Sequence, residues 1–200
     1  MDSIDVNIIK LAGTVAQPPV FSHEAHGHAF YTMTLSAERL SGSFDLLRVQ
    51  LPQELAALKT IAEGERAAFR GHVRSFNNRS GTGSKLVLSA LAREWIEDEG
   101  EDLNELELTG TLCKPPIYRK TPLGREISDL LVASSRGRGR SDYLPCITWG
   151  AAARRMSELT TGNRVSIKGR MQSRNYSKLE NEVEQRKTAY EISVAEILAI

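Results

Sequence analysis

The sequence predicts an all-β protein with short helices, folded as two similar halves, and three observations support this. A ten-residue phrase, LAGTVAQPPV at residues 11–20, returns as LTGTLCKPPI at residues 108–117, ninety-seven positions later. Both halves contain short segments in which apolar and polar residues alternate, as they do along a strand with one buried face. Each half also carries one short helical segment between its third and fourth predicted strands.

The repeat extends well beyond this phrase, because glycines and an aspartate recur at an offset of 97 or 98. These pairs are Gly27 and Gly124, Asp45 and Asp142, Gly64 and Gly162, and Gly71 and Gly169. A repeating unit of about 95 residues indicates a duplicated domain and not a solenoid of short modules. We therefore predict a first domain at residues 1–96, an acidic linker at 97–103 and a second domain at 104–200.

The order of elements within a unit follows from periodicity. Leu47, Val49 and Leu51 occupy alternate positions, which predicts a strand with one buried face. Residues 51–61 predict a short helix that ends before Gly64, and residues 150–159 repeat it. Two alternating strands follow, each with a glycine where a barrel strand must bend. Three strands, a helix and two strands are typical of an OB-fold, so the predicted fold is two tandem five-stranded OB-fold barrels.

Charge and composition separate the halves and exclude several classes of protein. Residues 1–103 hold 10 basic and 14 acidic side chains, whereas residues 104–200 hold 16 and 11. Five of the acids lie within residues 97–102, which we interpret as a solvated linker. The N-terminus is acidic and no apolar run approaches the ~20 residues that cross a bilayer, which predicts a cytoplasmic protein without membrane contact. The cysteines, Cys113 and Cys146, favour buried thiols over a disulfide or zinc site.

Several stretches of the second half occur in a fixed order and spacing. They are LTGTL with YRKTPLGREI, then SDYLPCITWGAAA, TTGNRVSIKGRMQSRNY and RKTAYEISV. In this order they resemble the hairpin, third strand and helix, fourth strand and loop, and last strand of the bacterial single-stranded-DNA-binding protein family. The first half is similar but more diverged, so the chain resembles the tandem OB-fold members, in which two chains supply four barrels. The resemblance implies single-stranded DNA binding in replication, recombination or repair, a homodimer, and replication or recombination proteins as partners.

Two aromatic residues of the second half are candidates for base stacking. Binding a single strand without reading its sequence requires flat rings for bases and cations along the backbone. Tyr143 and Trp149 are six residues apart on one predicted strand and therefore point to the same face. The resemblance assigns stacking positions to both and to Tyr176. The alternative is that Trp149 caps the barrel core and Tyr143 is an ordinary surface residue.

Basic residues surround these rings in the sequence, and we predict that they contact the phosphate backbone. Three arginines spaced by glycines form a predicted flexible loop between the second and third strands. The alternative is that this loop is only a solvated turn. The predicted cations are Arg119, Lys120 and Arg125 in the first hairpin, Arg136, Arg138 and Arg140 in the loop, and Arg170, Arg174 and Lys178 near the fourth strand.

The first half lacks this aromatic set. Its positions equivalent to the three rings carry Leu46, Pro52 and Asn78, none of which stacks a base. Weak backbone contact is predicted from Arg48, Arg74 and Phe76. We therefore expect the second barrel to carry most of the binding, and the first to be structural or a dimerisation surface.

The histidine-rich segment HEAHGH, at residues 23–28, invites a metal-site interpretation. Its histidines are spaced by three and two, whereas catalytic zinc helices place them at i and i+4. The repeat places the segment at the tip of a hairpin, where a metal is poorly held. We expect neither a metal nor a cofactor, and no constellation of residues predicts an enzyme.

Two other functions stay open from the sequence. The chain stops at Ile200 without the acidic tail typical of the family, which favours a primosome-type OB-fold adaptor acting mainly through protein contacts. An RNA chaperone uses the same stacking physics, since no residue here identifies recognition of the ribose 2′-hydroxyl.

Overall fold

The computed structural model describes residues 5–78, 86–180 and 183–200, and the side chains of residues 176–187 lie outside that description. Strands dominate the described residues. The elements in chain order are β1 (Asn7–Ala25), β2 (His28–Glu38), β3 (Phe44–Pro52), α1 (Gln53–Ala56), β4 (Arg66–Asn77), β5 (Leu86–Trp95), β6 (Leu103–Leu112), β7 (Ile117–Lys120), β8 (Glu126–Gly137), β9 (Arg140–Trp149), α2 (Gly150–Met156), β10 (Arg164–Glu180) and β11 (Val183–Ala199).

The first barrel is a closed ring of five strands. Strand β1 pairs antiparallel with β2 and β4, β3 pairs with β2, and β5 joins β4 to a parallel pairing with β3. Leu47, Val49 and Leu51 are fully buried, as their alternation predicts. The core of this barrel is therefore lined by the apolar face of each strand.

The second barrel repeats the same ring. Strand β6 pairs with β10 and β8, and β9 lies between β8 and a parallel β11, which neighbours β10. The short strand β7 lies at the end of the sheet, where it forms an antiparallel hairpin with β8. The prediction of two OB-fold barrels is confirmed.

The internal repeat is present in the strand register as well as in the amino-acid sequence. Phe30 lies opposite Pro52 in the first barrel, and Ile127 lies opposite Trp149 in the second, each member shifted by 97 residues. The same shift relates the other rows of β2 and β3 to those of β8 and β9. Equivalent positions in the two barrels can therefore be compared row by row.

Two glycines allow the close approach that closes each barrel. A Cβ atom at Gly71 would lie 2.0 Å from the carbonyl oxygen of Leu91, and one at Gly169 would lie 2.3 Å from that of Ser193. The β4–β5 ladder also shifts register between Arg70 and Gly71. The predicted bend at these glycines is thus a point where only hydrogen fits.

The helices are shorter than the sequence predicts, because α1 covers only residues 53–56 and α2 only residues 150–156. Within the described ranges, neither helix is long and apolar enough to cross a bilayer. The thiol of Cys146 is buried, which raises its pKa, whereas Cys113 is half-buried.

The acidic linker is not simply solvated, which corrects our interpretation of it. Arg66 on β4 donates from Nε to Asp98 at 2.8 Å and from Nη1 to Asp102 at 2.7 Å. Asp102 also accepts a bond from the backbone N–H of Glu38 at 2.7 Å. Two of the acids are therefore ion-paired to the first barrel, because a single guanidinium presents donors to both.

The compact units of the chain differ from the predicted ranges in two segments. One unit comprises residues 1–8, 105–171 and 191–200, and the other comprises residues 9–104 and 172–190. We call residues 172–190 the arm. Within its unit, Ser173 of the arm donates its backbone N–H to Asp45 at 2.7 Å and its carbonyl accepts from Arg39 at 2.9 Å. Asp45 is 1% exposed, so the arm covers this carboxylate.

The N-terminal segment belongs to the unit of the second barrel. The backbone N–H of Thr109 bonds to the carbonyl of Val6 at 2.8 Å, which adds a short stretch of ladder to β6. The side chain of Asp5 accepts bonds from the backbone N–H of Ser135 at 2.8 Å and from Arg164 at 2.5 Å. This segment therefore ties β6, β8 and β10 together.

Candidate nucleic-acid interface

Tyr143 and Trp149 both lie on the outer face of the second barrel. They are 50% and 40% exposed, whereas Leu144, Cys146 and Thr148 between them are buried. Because successive residues of a strand alternate between faces, the two rings project from the same side of β9. The indole of Trp149 is therefore not buried in the barrel core, and it remains accessible at the surface.

A row of residues crosses three strands beside Trp149. Trp149 lies opposite Ile127 of β8, and Ile127 lies opposite Arg119 of β7. Directly opposed residues of an antiparallel pair share one face, so the guanidinium and the indole flank an isoleucine that is 2% exposed. The arrangement combines a flat ring with a cation on one surface.

Two carboxylates pair with basic residues of the β7–β8 hairpin. Asp129 accepts bonds from Arg119 Nε at 2.8 Å and Nη2 at 3.3 Å, and this pairing raises the pKa of the Arg119 guanidinium. Glu126 accepts a bond from Tyr118 at 2.6 Å, which raises the pKa of that phenol, and it lies 3.9 Å from Lys120. Glu126 also accepts a bond from Arg154 of α2.

Sequence reasoning missed these acids, although a signal for them exists. Gly124 has a positive φ of 75°, and its N–H donates to the carbonyl oxygen of Thr121. This hydrogen bond closes a tight turn after β7. Such a turn fixes the register of the hairpin, and so it places Glu126 opposite Lys120. Counting back from the turn would have predicted the pairing.

The arginine loop is a tight hairpin and not the flexible loop that we predicted. Gly137 pairs with Arg140, and the two residues between them, Arg138 and Gly139, have φ values of 55° and 65°. Two successive positive φ values define a type I′ turn, which matches the twist of the flanking strands. Glycine at the second position makes this geometry accessible.

The predicted cations of the second half therefore fall into two groups. Arg136 Nε lies 3.5 Å from Oδ2 of the fully buried Asp142, so Arg136 forms an ion pair with that carboxylate. By contrast, three exposed side chains form no hydrogen bond or ion pair within the described part of the chain: Arg125, Arg138 and Arg140. These three are available to a phosphate backbone.

The remaining predicted residues lie elsewhere on the two units. Arg170 on β10 is half-buried in the unit of the second barrel, and Arg174 is exposed in the arm. The side chains of Tyr176 and Lys178 lie outside the described residues. In the first barrel, Arg48 on β3 and Arg74 on β4 are half-buried, and Phe76 on β4 is 40% exposed.

Comparison with known proteins agrees with this geometry. Residues 103–200 match the sequence profile of the single-strand binding protein family. The chain is 31% identical over 102 residues to single-stranded DNA-binding protein A of Bacillus subtilis (strain 168), a match covering 48% of this chain and 58% of that protein. It is 33% identical over 85 residues to single-stranded DNA-binding protein 1 of Staphylococcus aureus (strain COL), covering 39% and 51%. The chain thus spans about half the length of these curated relatives.

Among solved structures, the wild-type single-stranded DNA binding protein from Thermus aquaticus has a similar fold over both halves. The TM-score is 0.78 at 20% sequence identity, and the match covers 99% of this chain and 94% of that one. A deletion mutant of the same protein gives a TM-score of 0.76, also at 20% identity, with 98% and 95% coverage. At this identity the likeness supports the tandem OB-fold architecture.

Proposed function

We propose that the protein binds single-stranded DNA without reading its sequence, because residues 103–200 match the single-strand binding protein family. The observation that carries the proposal is the exposed pair of rings, Tyr143 and Trp149, on one face of β9. Every nucleobase has a π-face, so such rings accept any sequence. Each stacked base contributes about 1–3 kcal/mol.

Cations beside the rings supply the second component of the proposed site. Arg119 lies in the row of Trp149, and the unpaired Arg125, Arg138 and Arg140 are free to meet phosphates. Contacts from the other predicted residues stay predictions of the sequence: Lys120, Arg136, Arg170, Arg174, Tyr176, Lys178, Arg48, Arg74 and Phe76.

The proposal includes a cellular role and an assembled form. We propose that the protein acts in replication, recombination or repair as a binding protein and not as an enzyme, with replication or recombination proteins as partners. A homodimer is the proposed assembly, and a mass measurement by light scattering with and without oligo-dT tests it. The cytoplasmic location stays a prediction of the sequence.

A titration with three polymers tests the proposed ligand. Labelled poly-dT, poly-rU and duplex DNA are added at two salt concentrations while tryptophan fluorescence is followed. The chain has two tryptophans, and the indole N–H of Trp95 donates to the carbonyl of Leu55 at 3.1 Å inside the first barrel. A Trp95→Phe variant therefore leaves Trp149 as the reporter.

The outcomes separate the candidate functions. Quenching of Trp149 by poly-dT and not by duplex supports the proposal, because a stacked base quenches the indole directly. Equal or tighter binding of poly-rU would point to an RNA chaperone. Absence of binding to all three polymers at low salt would contradict the proposal and favour an adaptor that acts through protein contacts.

A further inference from the structure

A buried carboxylate holds the base of the hairpin between β8 and β9. The side chain of Asp5 is 4% exposed, and its Oδ2 accepts a hydrogen bond from the backbone N–H of Ser135 at 2.8 Å. The backbone N–H of Asp5 in turn donates to the carbonyl oxygen of Ser135 at 3.0 Å. Arg164 and the hydroxyl of Thr109 donate to the other carboxylate oxygen, at 2.5 Å and 3.2 Å. Ser135 is therefore fixed through both of its backbone groups.

One residue separates Ser135 from a turn that carries two unpaired arginines. The hydroxyl oxygen of Ser135 accepts a bond from the N–H of Gly137 at 3.2 Å. Gly137 begins the turn at residues 137–140, which we call the arginine turn, and its Arg138 and Arg140 form no hydrogen bond or ion pair within the described part of the chain. The β8–β9 ladder shifts register between Ser135 and Gly137, so strand pairing is interrupted just before the turn. The bonds to the carboxylate and to Gly137 therefore supply a fixed base for the two arginines.

The first barrel contains an equivalent carboxylate. Asp102 is the repeat equivalent of Asp5, at an offset of 97, and Glu38 is the equivalent of Ser135 at the same offset. The backbone N–H of Glu38 donates to Asp102 at 2.7 Å, and Arg66 donates to the same carboxylate at 2.7 Å. In both repeats an aspartate thus accepts bonds from an arginine and from the backbone at the end of the second strand.

The turns next to these two carboxylates differ in charge. Ser41 and Ser43 occupy the positions of Arg138 and Arg140, again at an offset of 97, and the two serine hydroxyls lie 2.9 Å apart. The carboxylate of the second barrel therefore supports a turn with cations, whereas that of the first barrel supports a turn with neutral side chains at the same positions. The first barrel is an internal control for the role of the second carboxylate.

We propose that Asp5 is a positioning residue for nucleic-acid binding, because it holds Arg138 and Arg140 where they meet phosphates. Its side chain is buried and bonded within the barrel, so it acts through the turn and not through contact with the ligand. A turn without a fixed base loses conformational entropy when it is immobilised on a ligand. A turn anchored through Ser135 has lost part of that entropy during folding, so binding is more favourable. This inference rests on the proposed function and extends it to the N-terminal segment.

Matched variants of the full chain test this role. Asp5→Ala removes the carboxylate beside the arginine turn, and Asp102→Ala removes its equivalent beside the serine turn. Asp5→Asn keeps a side-chain oxygen that can accept from the N–H of Ser135, and it serves as the rescue variant. Asp5→Ala is also made in a chain carrying Arg138→Gln and Arg140→Gln. For each variant, the affinity for oligo-dT is measured over a range of salt concentrations, and amide hydrogen exchange is measured in the free protein.

We expect Asp5→Ala to lower the slope of log affinity against log salt by about 0.7 to 1.4, as loss of one or two phosphate contacts implies, and to weaken binding about two- to tenfold at low salt. Asp102→Ala should keep the wild-type slope, although it also removes a bonded carboxylate, because its turn has no arginine. Asp5→Asn should keep the wild-type slope as well. In the chain without the two turn arginines, Asp5→Ala should cause no further change of slope, because the effects of coupled groups do not add.

Amide exchange reports on the turn independently of the ligand. Exchange at Gly137 should be faster in Asp5→Ala and unchanged in Asp102→Ala, since local opening follows the loss of local bonds. Ser135→Ala keeps the bonds between the two backbones and removes only the hydroxyl that accepts from Gly137, so it should lower the salt slope even where Asp5→Ala does not fold.

Three results would overturn this role. They are a wild-type salt slope in folded Asp5→Ala, a wild-type slope in Ser135→Ala where Asp5→Ala does not fold, and an equal loss of slope with and without the turn arginines. Failure of the unmodified chain to bind oligo-dT would instead overturn the proposed function itself. Exchange at Gly137 would then still decide whether Asp5 holds the turn.

Discussion

Arg39 donates hydrogen bonds to the buried carboxylate of Asp45, one of them from Nε at 2.8 Å. The repeat places Arg136 3.5 Å from Asp142, which is equally buried. In both barrels an arginine at the end of the second strand therefore neutralises an aspartate at the start of the third. This pairing explains why one arginine of the glycine-spaced cluster is a structural residue in the second barrel.

Replacement of Asp45 by alanine should destabilise the protein by about 3 kcal/mol, because it leaves a partly buried guanidinium and the N–H of Ser173 without their acceptor. The free energy of unfolding, measured by denaturant titration, checks this. Glu63→Ala removes an exposed carboxylate from the same barrel and is the control. Equal free energies of unfolding for the two variants would contradict a stabilising role for Asp45.

Joint replacement of Tyr143 and Trp149 by alanine should weaken poly-dT affinity at least about tenfold, since two stacked bases are lost. Both side chains are at least 40% exposed, so the fold should persist, and unfolding curves verify that it does. The affinity is measured by anisotropy of a labelled oligonucleotide. An unchanged affinity in a folded double variant would contradict the stacking assignment.

Replacement of Arg138 and Arg140 by glutamine should flatten the salt dependence of binding. Each phosphate contact on a single strand contributes roughly −0.7 to the slope of log affinity against log salt, so the slope should fall by about 1.4. Arg93 and Arg155 are exposed and carry the same charge away from this turn, and their replacement by glutamine is the control. A slope identical to that of the control variant would exclude the turn from the interface.

Asp129→Asn should tighten binding about two- to fivefold at low salt, because Arg119 is then released from its carboxylate partner and the surface loses a negative charge. The gain should shrink as salt rises, since exposed charges are screened. Glu158→Gln, an exposed acid of the same barrel, is the control. Weaker binding by Asp129→Asn would mean that Asp129 positions Arg119 for the ligand.

Asp5 should make the stability of the protein sensitive to acid. Burial opposes ionisation of this group, but bonds from the Ser135 N–H and from Arg164 outweigh burial and hold the pKa below its usual 3.8. A depressed pKa in the folded state stabilises the fold above the unfolded pKa, and this contribution disappears as pH falls through the folded value. The difference in stability between wild type and Asp5→Asn should therefore be largest near neutrality and vanish in strong acid. A difference that is constant with pH would contradict the assignment.

The sequence predicted the features that depend on local pattern. The repeated phrase and the alternation around Val49 predicted two barrels, and the spacing of Tyr143 and Trp149 placed both rings on one face. These predictions succeeded because a strand has a period of two and the residues concerned lie on single strands. The internal repeat also has the same strand register in both barrels, which the structure shows directly.

Features that depend on distant pairing could not be predicted in the same way. The bonds between Arg66 and the linker acids join residues more than thirty positions apart, and those between Asp45 and Ser173 join residues 128 apart. The rings of His23 and Phe30 stack with centroids 5.1 Å apart because the register of the β1–β2 hairpin places these residues opposite each other, and the spacing of residues along one strand does not predict that register. Arg138 appeared flexible because glycines flank it, yet those glycines permit a tight turn.

Strand β10 begins in one compact unit and its continuation, the arm, is part of the other. Cleavage of the chain within residues 97–103 would therefore not yield two autonomous fragments. The amino-terminal fragment would expose the carboxylate that Ser173 covers, and the carboxy-terminal fragment would carry the arm without the residues that Ser173 bonds to. Limited proteolysis of the linker should consequently leave the halves associated, and dissection of the activity calls for point substitutions in the intact polypeptide.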